Sequence, residues 1–341
     1  MFNSGTGYCS TPYHLLKTTN YGTNWNIILE RDGIGLIYFI NENTGINSIG
    51  SIINKTTNGG NSWNTIYTFT DFYVSIFNWQ NELTGFALQN SPLNVPVYYK
   101  TKMYKTTTGG TAWQIVFNDT TININSISFP SASVGYMAGT SKNDLLRNGK
   151  FFKTTNQGLT WDSIPILRLR DLQSTYFIDN NSGYVGGIRM STNGPNMLRT
   201  TNGGTSWDSI YNGAATLLHF VNFNTGYGGV GPFRKTTNAG LNWITLTPYL
   251  FNNLNIRCFS VYGTENIYLG GAQGDLGKSS DGGVTWTADS KGFNGNLYSI
   301  KFFDANTGIA TGGYNGAVYL RTTNAGLSWD TNTIGEDYLE S

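Results

Sequence analysis

The residues best suited to chemistry in this sequence are arginines and tyrosines at the starts of predicted strands. Arg168 and Arg170 are separated by one residue, and alternate residues of a strand share a face, so both guanidinium groups should point the same way. Two guanidinium groups on one face suit a carboxylate or phosphate ligand. The alternative is that these arginines pair with Glu30, Asp32 or Asp171. The full set of candidates at strand starts is Arg31, Tyr73, Arg168, Arg170, Arg257 and Tyr298.

Three long insertions carry a second group of candidates, which is basic and aromatic. They span Asn90–Thr101, Gly139–Lys150 and Met190–Asn196, and the repeat described below places all three on one face. Loops held by a rigid scaffold often carry binding residues, although loops also simply tolerate insertions. We therefore predict a binding surface here, with tolerated insertion as the alternative. Its candidates are Tyr98, Tyr99, Lys100, Lys102, Lys142, Arg147 and Arg189.

Catalytic and metal-binding motifs are not visible in the sequence. The two histidines, His14 and His219, do not cluster with the two cysteines, Cys9 and Cys258, so neither a metal site nor a cofactor is predicted. Glutamate is scarce, and the paired carboxylates that glycoside hydrolysis requires cannot be identified. Nucleophile elbows and phosphate-binding loops are missing too. We predict a protein that is not an enzyme, with two buried free thiols rather than the alternative of one disulfide.

The composition indicates a folded chain without broad electrostatic partners. The 341 residues include 43 Gly and only 12% charged residues, whereas typical soluble domains have about 7% Gly and about 25% charged residues. A hydrophobic content of 39% is enough to build a core. The net charge of +1 argues against a nucleic-acid partner. Since no apolar run approaches about 18 residues, membrane insertion is not expected.

A nine-residue box recurs along the whole chain. It consists of Lys or Arg, two Thr or Ser residues, a residue that is mostly Asn, any residue, Gly, any two residues, and Trp. Eight of the nine tryptophans close a copy of the box, so this periodicity must reflect the fold. These tryptophans are Trp25, Trp63, Trp113, Trp161, Trp207, Trp243, Trp286 and Trp329.

Each repeat predicts four short strands, here lettered A to D. In the last repeat, Leu297–Phe302 alternates as strand A, Ile309–Thr311 begins strand B, Val318–Thr322 forms strand C, and Trp329 opens strand D. Four strands in roughly 43 residues are typical of a β-propeller blade. We therefore predict an all-β fold, a single β-propeller domain over residues 1–341 with eight four-stranded antiparallel blades. The A–B and C–D turns should share one face, and the D–A and B–C connections the other.

The box residues have a structural explanation. Asn tolerates the left-handed region and bonds its downstream backbone, and the Gly after it supplies a positive φ. Thr favours strands and can bond across them, while Trp buries a large area against the neighbouring sheet and has an N–H available for the turn. We interpret the box as a folding element rather than a ligand site.

The box resembles the Asp-box, or bacterial neuraminidase repeat, and the longer unit is similar to the photosystem II stability and assembly factor-like propellers. The longer unit is seen in Phe302–Gly308 followed by Arg321–Trp329. Only Asp281 keeps the Asp of the box; Thr108 replaces it in one copy, and Asn in the six others. The resemblance implies a propeller and leaves function open, because many functions share one fold. Relatives of the photosystem type usually have seven blades, which is the alternative to eight.

The two ends of the chain suggest how the ring closes. The first repeat lacks most of a strand A, and the last repeat leaves an overhang after Gly335. We predict that Tyr338–Ser341 and Met1-Phe2 join in one blade and close the ring, since closure protects sheet edges. The N-terminus has no basic or apolar segment of the kind found in export signals.

The sequence favours a non-catalytic binding or scaffold propeller that recognises a protein or a glycan through one face. Its composition, rich in Asn, Thr, Ser and Gly and poor in Lys and Glu, suits an extracellular or cell-surface protein. A monomeric propeller is expected. The resemblance implies an alternative, an assembly factor of the photosystem II type in a thylakoid lumen or periplasm. A second alternative is a glycoside hydrolase of the sialidase or xyloglucanase type, families that use an arginine triad or paired carboxylates.

Overall fold

Eight antiparallel β-sheets form the blades of a propeller ring in the computed structural model, which confirms the all-β, eight-blade prediction and rejects the seven-blade alternative. The structure describes the chain except for residues 1, 3, 11–12, 71–73, 91–100, 142–147, 167–168, 190–196, 212–217, 229–232, 247–255, 291–294, 314–316 and 335–341. Within this described part, the helical content is a single 3-10 turn at Ala272–Gly274.

The strands follow one another through the blades in chain order. Blade 1 has β1 (Gly7–Ser10), β2 (His14–Thr18) and β3 (Asn26–Glu30), which are strands B, C and D. Blade 2 has β4 (Ile34–Phe39), β5 (Gly45–Ile49), β6 (Ile52–Thr56) and β7 (Asn64–Thr68). Blade 3 has β8 (Ile76–Trp79), β9 (Gly85–Asn90), β10 (Thr101–Thr106) and β11 (Gln114–Asp119). Blade 4 has β12 (Ile122–Ser128), β13 (Gly135–Ser141), β14 (Gly149–Thr154) and β15 (Asp162–Ile164).

The second half of the chain repeats the same order. Blade 5 has β16 (Leu169–Phe177), β17 (Gly183–Arg189), β18 (Met197–Thr200) and β19 (Asp208–Tyr211). Blade 6 has β20 (Leu218–Phe220), β21 (Gly226–Gly228), β22 (Arg234–Thr236) and β23 (Ile244–Thr245). Blade 7 has β24 (Cys258–Tyr262), β25 (Asn266–Gly270), β26 (Asp275–Ser279) and β27 (Thr287–Ser290). Blade 8 has β28 (Asn296–Phe302), β29 (Gly308–Gly313), β30 (Ala317–Thr322) and β31 (Asp330–Ile334).

An aromatic stack joins neighbouring blades near the start of strand B. Tyr136 of blade 4 lies flat on Phe177 of blade 5, with ring centroids 3.5 Å apart. Equivalent stacks place Tyr8 on Phe39, Tyr184 on Phe220 and Tyr268 on Phe302. Gly183, which pairs with Phe177, must be glycine because a Cβ there would lie 2.5 Å from the phenylalanine ring. Glycine at the start of strand B therefore makes room for the aromatic ring that links one blade to the next.

The box tryptophans extend this stack. Trp63, Trp161 and Trp329 meet the strand A phenylalanines of their own blades edge to face, with centroids 5.7–5.9 Å apart. That geometry is favourable for aromatic pairs. The expected N–H bond to the turn is formed by Trp113 and Trp286, which donate to Gly110 and Gly283. It is not formed by Trp25, Trp63, Trp161 and Trp207, whose N–H groups are buried without a partner among the described residues. The tryptophans thus pack at the joints between blades, as a folding element should.

A polar network inside each box holds the C–D turn. In blade 5, the buried Thr200 Oγ1 accepts hydrogen bonds from the N–H groups of Asn202 and Gly204. It also donates to Asn202 Oδ1, which in turn accepts from the backbone N–H of Ser206. The threonine hydroxyl therefore bonds within the turn rather than across the strands, which corrects the expectation for the Thr pair. Asn bonds its downstream backbone as predicted.

The Gly of the box has the positive φ that was expected, whereas the Asn is not left-handed. The two positions after Asn have positive φ, for example Gln157 at 62° and Gly158 at 75° in blade 4. The same pair is left-handed in all eight boxes, whereas the Asn before it is not. Asn is placed there for its side-chain acceptor rather than for its backbone conformation. Glycine occupies the second position in all eight boxes. The first position also accepts other residues, namely Tyr21, Ala239 and Ala325.

Contacts between the last and first blades close the ring. Arg321 Nε of blade 8 donates to the carbonyl of Tyr21 in blade 1 at 2.8 Å. Trp25 meets Tyr319 edge to face, with centroids 6.4 Å apart. The predicted pairing of Tyr338–Ser341 with Met1-Phe2 falls outside the described residues. Phe2 itself donates its N–H to the carbonyl of Thr6, within the N-terminal segment.

Both cysteines are free thiols, as expected, and Cys258 is buried while Cys9 is only partly so. In the described part of the chain, no helix has the length and apolar character needed to cross a membrane.

Replacing Thr200 by Val should lower the free energy of unfolding by about 1–3 kcal/mol, because a buried hydroxyl with three hydrogen bonds is lost at nearly constant volume. Urea denaturation measures the change. The neighbouring Thr201→Val is the matched control: Thr201 is exposed, and its replacement should change stability by less than about 0.5 kcal/mol. Equal losses in the two variants would contradict the role given to the box hydroxyl.

Candidate binding groove at the inner strands

Five of the predicted candidates have described side chains, and the structure brings two of them together. Arg257 and Tyr298 line one groove at the inner strands of blades 7 and 8. Arg31 and Arg170 do not line it. Lys102 is half-buried in strand β10 opposite Gln89, and so belongs to the sheet rather than to a loop.

The side chains of the other predicted candidates lie outside the described residues. The backbone of Arg189 ends strand β17, at the base of an insertion as expected. Outside the described residues lie Tyr73, Tyr98, Tyr99, Lys100, Lys142, Arg147 and Arg168. The proposed surface on the three insertions therefore stays a prediction, as does the alignment of Arg168 with Arg170.

The remaining arginines of the strand-start set have other settings. Arg31 is exposed before β4, and its backbone N–H donates to Tyr13. Arg170 lies in β16, where its backbone pairs with Asn148 of blade 4. Glu30, a predicted partner of these arginines, lies with its carboxylate 3.8 Å from His14 Nε2.

The groove runs between the innermost strands of consecutive blades. His219 comes from β20, Arg257 precedes β24, and Tyr298 and Lys301 lie in β28. The volume is about 300 Å³, and Cys258 and Ser260 contribute to the wall. Strand A is the innermost strand of each blade, so its alternate residues reach this space while the others enter the joints between blades. Consecutive repeats thus present their side chains to one shared groove.

Arg257 is held against Tyr298. The guanidinium carbon lies 5.9 Å from the centre of the tyrosine ring, which is within the range of a cation–π interaction. The phenol oxygen of Tyr298 accepts a hydrogen bond from Asn296 Nδ2 at 3.1 Å. The backbone N–H of Arg257 donates to Gly270 at 2.9 Å. These contacts orient the guanidinium while both side chains remain exposed at the groove.

The imidazole of His219 is partly buried and lies near a positive charge in the groove. Partial burial of its ring lowers the pKa of His219 below the ordinary value of 6.5, and the positive charge of Lys301 lowers it further. Among the described residues that line the groove there is no aspartate or glutamate. An arginine, a lysine and a histidine therefore face the same space without a lining carboxylate, which suits an anionic ligand.

The one thiol in the groove is not a nucleophile. Burial raises the pKa of Cys258 to about 12, and its Sγ donates a weak hydrogen bond to the carbonyl of Leu297 at 3.6 Å. A thiol with so high a pKa stays protonated at neutral pH, and only the thiolate is reactive. In the part of the chain that the structure covers, no three His, Cys, Asp or Glu side chains cluster so as to hold a metal ion.

Sequence analysis found Arg257 and Tyr298 but missed His219 and Lys301. The missed residues occupy the same position of their repeats, directly before the phenylalanine that ends strand A: Phe220 and Phe302. Both phenylalanines are buried, so strand alternation turns the residue before each one to the open side. Aligning the repeats on this phenylalanine would have found both residues.

The propeller has counterparts among solved structures. YCF48 bound to D1 peptide matches with a TM-score of 0.60 at 18% identity, over 94% of each chain. YCF48 from Cyanidioschyzon merolae matches with a TM-score of 0.53 at 16% identity, over 95% of this chain and 92% of that chain. A Niastella koreensis GH74 enzyme has a TM-score of 0.45 at 14% identity, and this chain covers 63% of it.

At these identities the comparisons establish a shared fold. This chain shares its propeller fold with the two YCF48 structures. The resemblance of its boxes to the Asp-box proteins stays a sequence-based prediction. No family model matches the chain, and no curated protein does either.

Replacing Lys301 by Met should raise the pKa of His219, because a like charge beside the imidazole is removed while its burial stays. In the unaltered protein, His219 binds its proton less readily when folded than when unfolded. The protein therefore loses stability as the pH falls from 6.5 towards the lower pKa of folded His219. NMR titration of the imidazole protons measures the pKa. Lys150→Met in blade 4 is the control, and an unchanged or lower pKa in the Lys301 variant would contradict this account.

Proposed function

We propose that this chain is a non-catalytic binding propeller that recognises an acidic protein segment through the basic groove. The observation that carries the proposal is the convergence of Arg257, Lys301 and His219 on one groove whose described lining has no carboxylate. Arginine and lysine form strong charge-assisted hydrogen bonds with carboxylates. Tyr298 adds an aromatic face beside these charges, and tyrosine and arginine are enriched where binding energy concentrates.

The choice of a protein segment as ligand has a second support. One structure of the same fold is described as YCF48 bound to D1 peptide. A groove of about 300 Å³ is at the small end of ligand sites, and it fits one or two side chains or a chain terminus better than a folded surface. The groove would thus hold the anchor of a longer contact. The insertions near Tyr98, Lys142 and Arg189, on blades 3, 4 and 5, are proposed to extend this contact beyond the groove.

The absence of catalysis is part of the proposal. The protonated Cys258 offers no nucleophile, and the lining groups are cations, a phenol and hydroxyls rather than a pair of acids. Glycoside hydrolysis generally needs two carboxyl groups about 5–10 Å apart. We also propose an exported protein, at the cell surface or in a periplasm or lumen, on the support of its low charge and its Asn- and Thr-rich composition.

Replacing Arg257 or Lys301 by Ala should weaken the binding of acidic peptides by about tenfold each, since a charge-assisted hydrogen bond is worth about 1.5–3 kcal/mol. Fluorescence polarisation with a library of heptapeptides carrying zero to four carboxylates measures the effect. For the unaltered protein, affinity should rise with the number of carboxylates and fall with added salt.

Arg31→Ala is the matched control, because it removes one exposed cation that does not line the groove. Its affinities should stay within about twofold of the unaltered protein. Neutral peptides that bind as tightly as acidic ones would refute the ligand class. Turnover of any polysaccharide or sialoside in a parallel substrate panel would refute the non-catalytic assignment.

A further inference from the structure

The boxes are linked around the ring by a second polar contact. In each case the basic residue that opens one box donates to a backbone carbonyl in the box of the next blade. These bonds are 2.7–3.2 Å long and run from Lys17 to Gly59, Lys55 to Gly109, Lys105 to Gln157, Lys153 to Gly203, Arg199 to Ala239, Lys235 to Gly282 and Arg321 to Tyr21. Seven of the eight joints between blades are tied in this way.

Tyrosines at the start of strand B make a parallel set of bonds. Their hydroxyl groups donate to a carbonyl in the A–B turn of the next blade. Tyr8 reaches Glu42, Tyr136 reaches Asn180, Tyr184 reaches Phe223 and Tyr227 reaches Thr264, at 2.7–3.3 Å. A joint with both residues is therefore closed by two donors, one phenolic and one cationic.

The joint between blades 7 and 8 has both donor residues, a lysine and a tyrosine. Neither of them forms its hydrogen bond to the described residues of the next blade. Lys278 opens the box of blade 7, yet its Nζ forms no hydrogen bond or ion pair with the described residues, and burial lowers its pKa. Tyr268 is 1% exposed, and its hydroxyl is buried without a hydrogen-bond partner. A hydroxyl that is buried without a hydrogen-bond partner destabilises the folded protein. Two independent contacts of the repeat are thus missing at the same joint.

A cleft occupies the place of the missing contacts. It has a volume of about 400 Å³, and both Tyr268 and Lys278 line it. Its apolar wall includes Leu276 and Trp329, with Leu327 exposed at the rim. Asp289 also lines the cleft, and it already interacts with a partner.

The inner part of this joint is nevertheless well bonded. The N–H of Leu297 donates to Gly271, and that of Phe302 donates to Ser260 Oγ. Tyr268 keeps its stack on Phe302, with ring centroids 3.3 Å apart. The cleft is therefore an opening in an otherwise packed joint.

We propose that this cleft binds a small organic carboxylate with an apolar body. One carboxylate oxygen accepts a hydrogen bond from Tyr268 Oη and the other accepts one from Lys278 Nζ, which satisfies the two donors that the neighbouring blade leaves unpaired. The apolar body lies against Leu276, Leu327 and Trp329. This site belongs to the joint between blades 7 and 8, uses none of the groove cations, and does not depend on the function proposed above.

Phenylacetate is a suitable probe, since it combines one carboxylate with a flat apolar ring. Isothermal titration should give a dissociation constant of about 1 mM for a ligand of this size. Lys278→Met and Tyr268→Phe should each weaken binding at least about fivefold. Phenylacetamide, which lacks the charge, should bind at least about fivefold more weakly to the unaltered protein.

Two controls keep the result specific. The loss of phenylacetate affinity caused by Lys278→Met should be the same in an Arg257→Ala background, which separates the cleft from the groove. Lys235→Met should lower Tm by at least about 2 °C through loss of the bond to Gly282, whereas Lys278→Met should leave Tm nearly unchanged. Two results would overturn the proposal. One is the absence of binding at 20 mM phenylacetate, roughly twentyfold above the expected dissociation constant. The other is unchanged binding by Lys278→Met.

Discussion

The stacking of one aromatic ring on another across the boundary between blades is the contact on which the propeller depends. Tyr136 on Phe177 is the clearest example, and a box tryptophan then packs edge-on against such a phenylalanine, as Trp329 does on Phe302. The arrangement is possible because a glycine beside the phenylalanine leaves the space that its ring fills. Large aromatic area buried at every joint explains how a chain with only 12% charged residues holds eight small sheets together.

Polar contacts add to the aromatic stacks by satisfying the hydrogen-bonding groups of the turns. Within each box, a buried hydroxyl such as that of Thr200 satisfies turn N–H groups that no strand could pair. Between boxes, a cation such as Lys235 satisfies a turn carbonyl of the next blade. The two sets of bonds explain why so uniform a motif recurs in blades with different strands and loops. They also make the joint between Lys278 and Tyr268 and the next blade recognisable. The bond from a basic residue to a carbonyl is present at the seven other joints and is missing at this one.

The groove shows how a repeat can build a site that no single repeat contains. Arg257 could be nominated from its place at the start of a strand, and Tyr298 likewise. Their contact over 5.9 Å depends on the packing of blade 8 against blade 7, which no local pattern encodes. His219 and Lys301 went unnoticed because each is a single polar residue in a strand. Their common position becomes visible only when the repeats are aligned on the buried phenylalanines that follow them.

The sequence by itself determined the all-β class, the number of blades and the role of the boxes. These properties follow from local, repeated chemistry: a glycine where φ must be positive, a hydroxyl and an amide where a turn must be capped, and a tryptophan at a constant offset. Tertiary structure alone decided which cations share a space, which joint lacks its bonds, and that Asn caps its turn without adopting the left-handed conformation. The physical reason for the first two is that they depend on distances between residues about 40 or more positions apart, which are set by the way whole blades pack. The conformation of Asn depends instead on side-chain bonds to residues two to four positions away, whose geometry is not visible in the sequence.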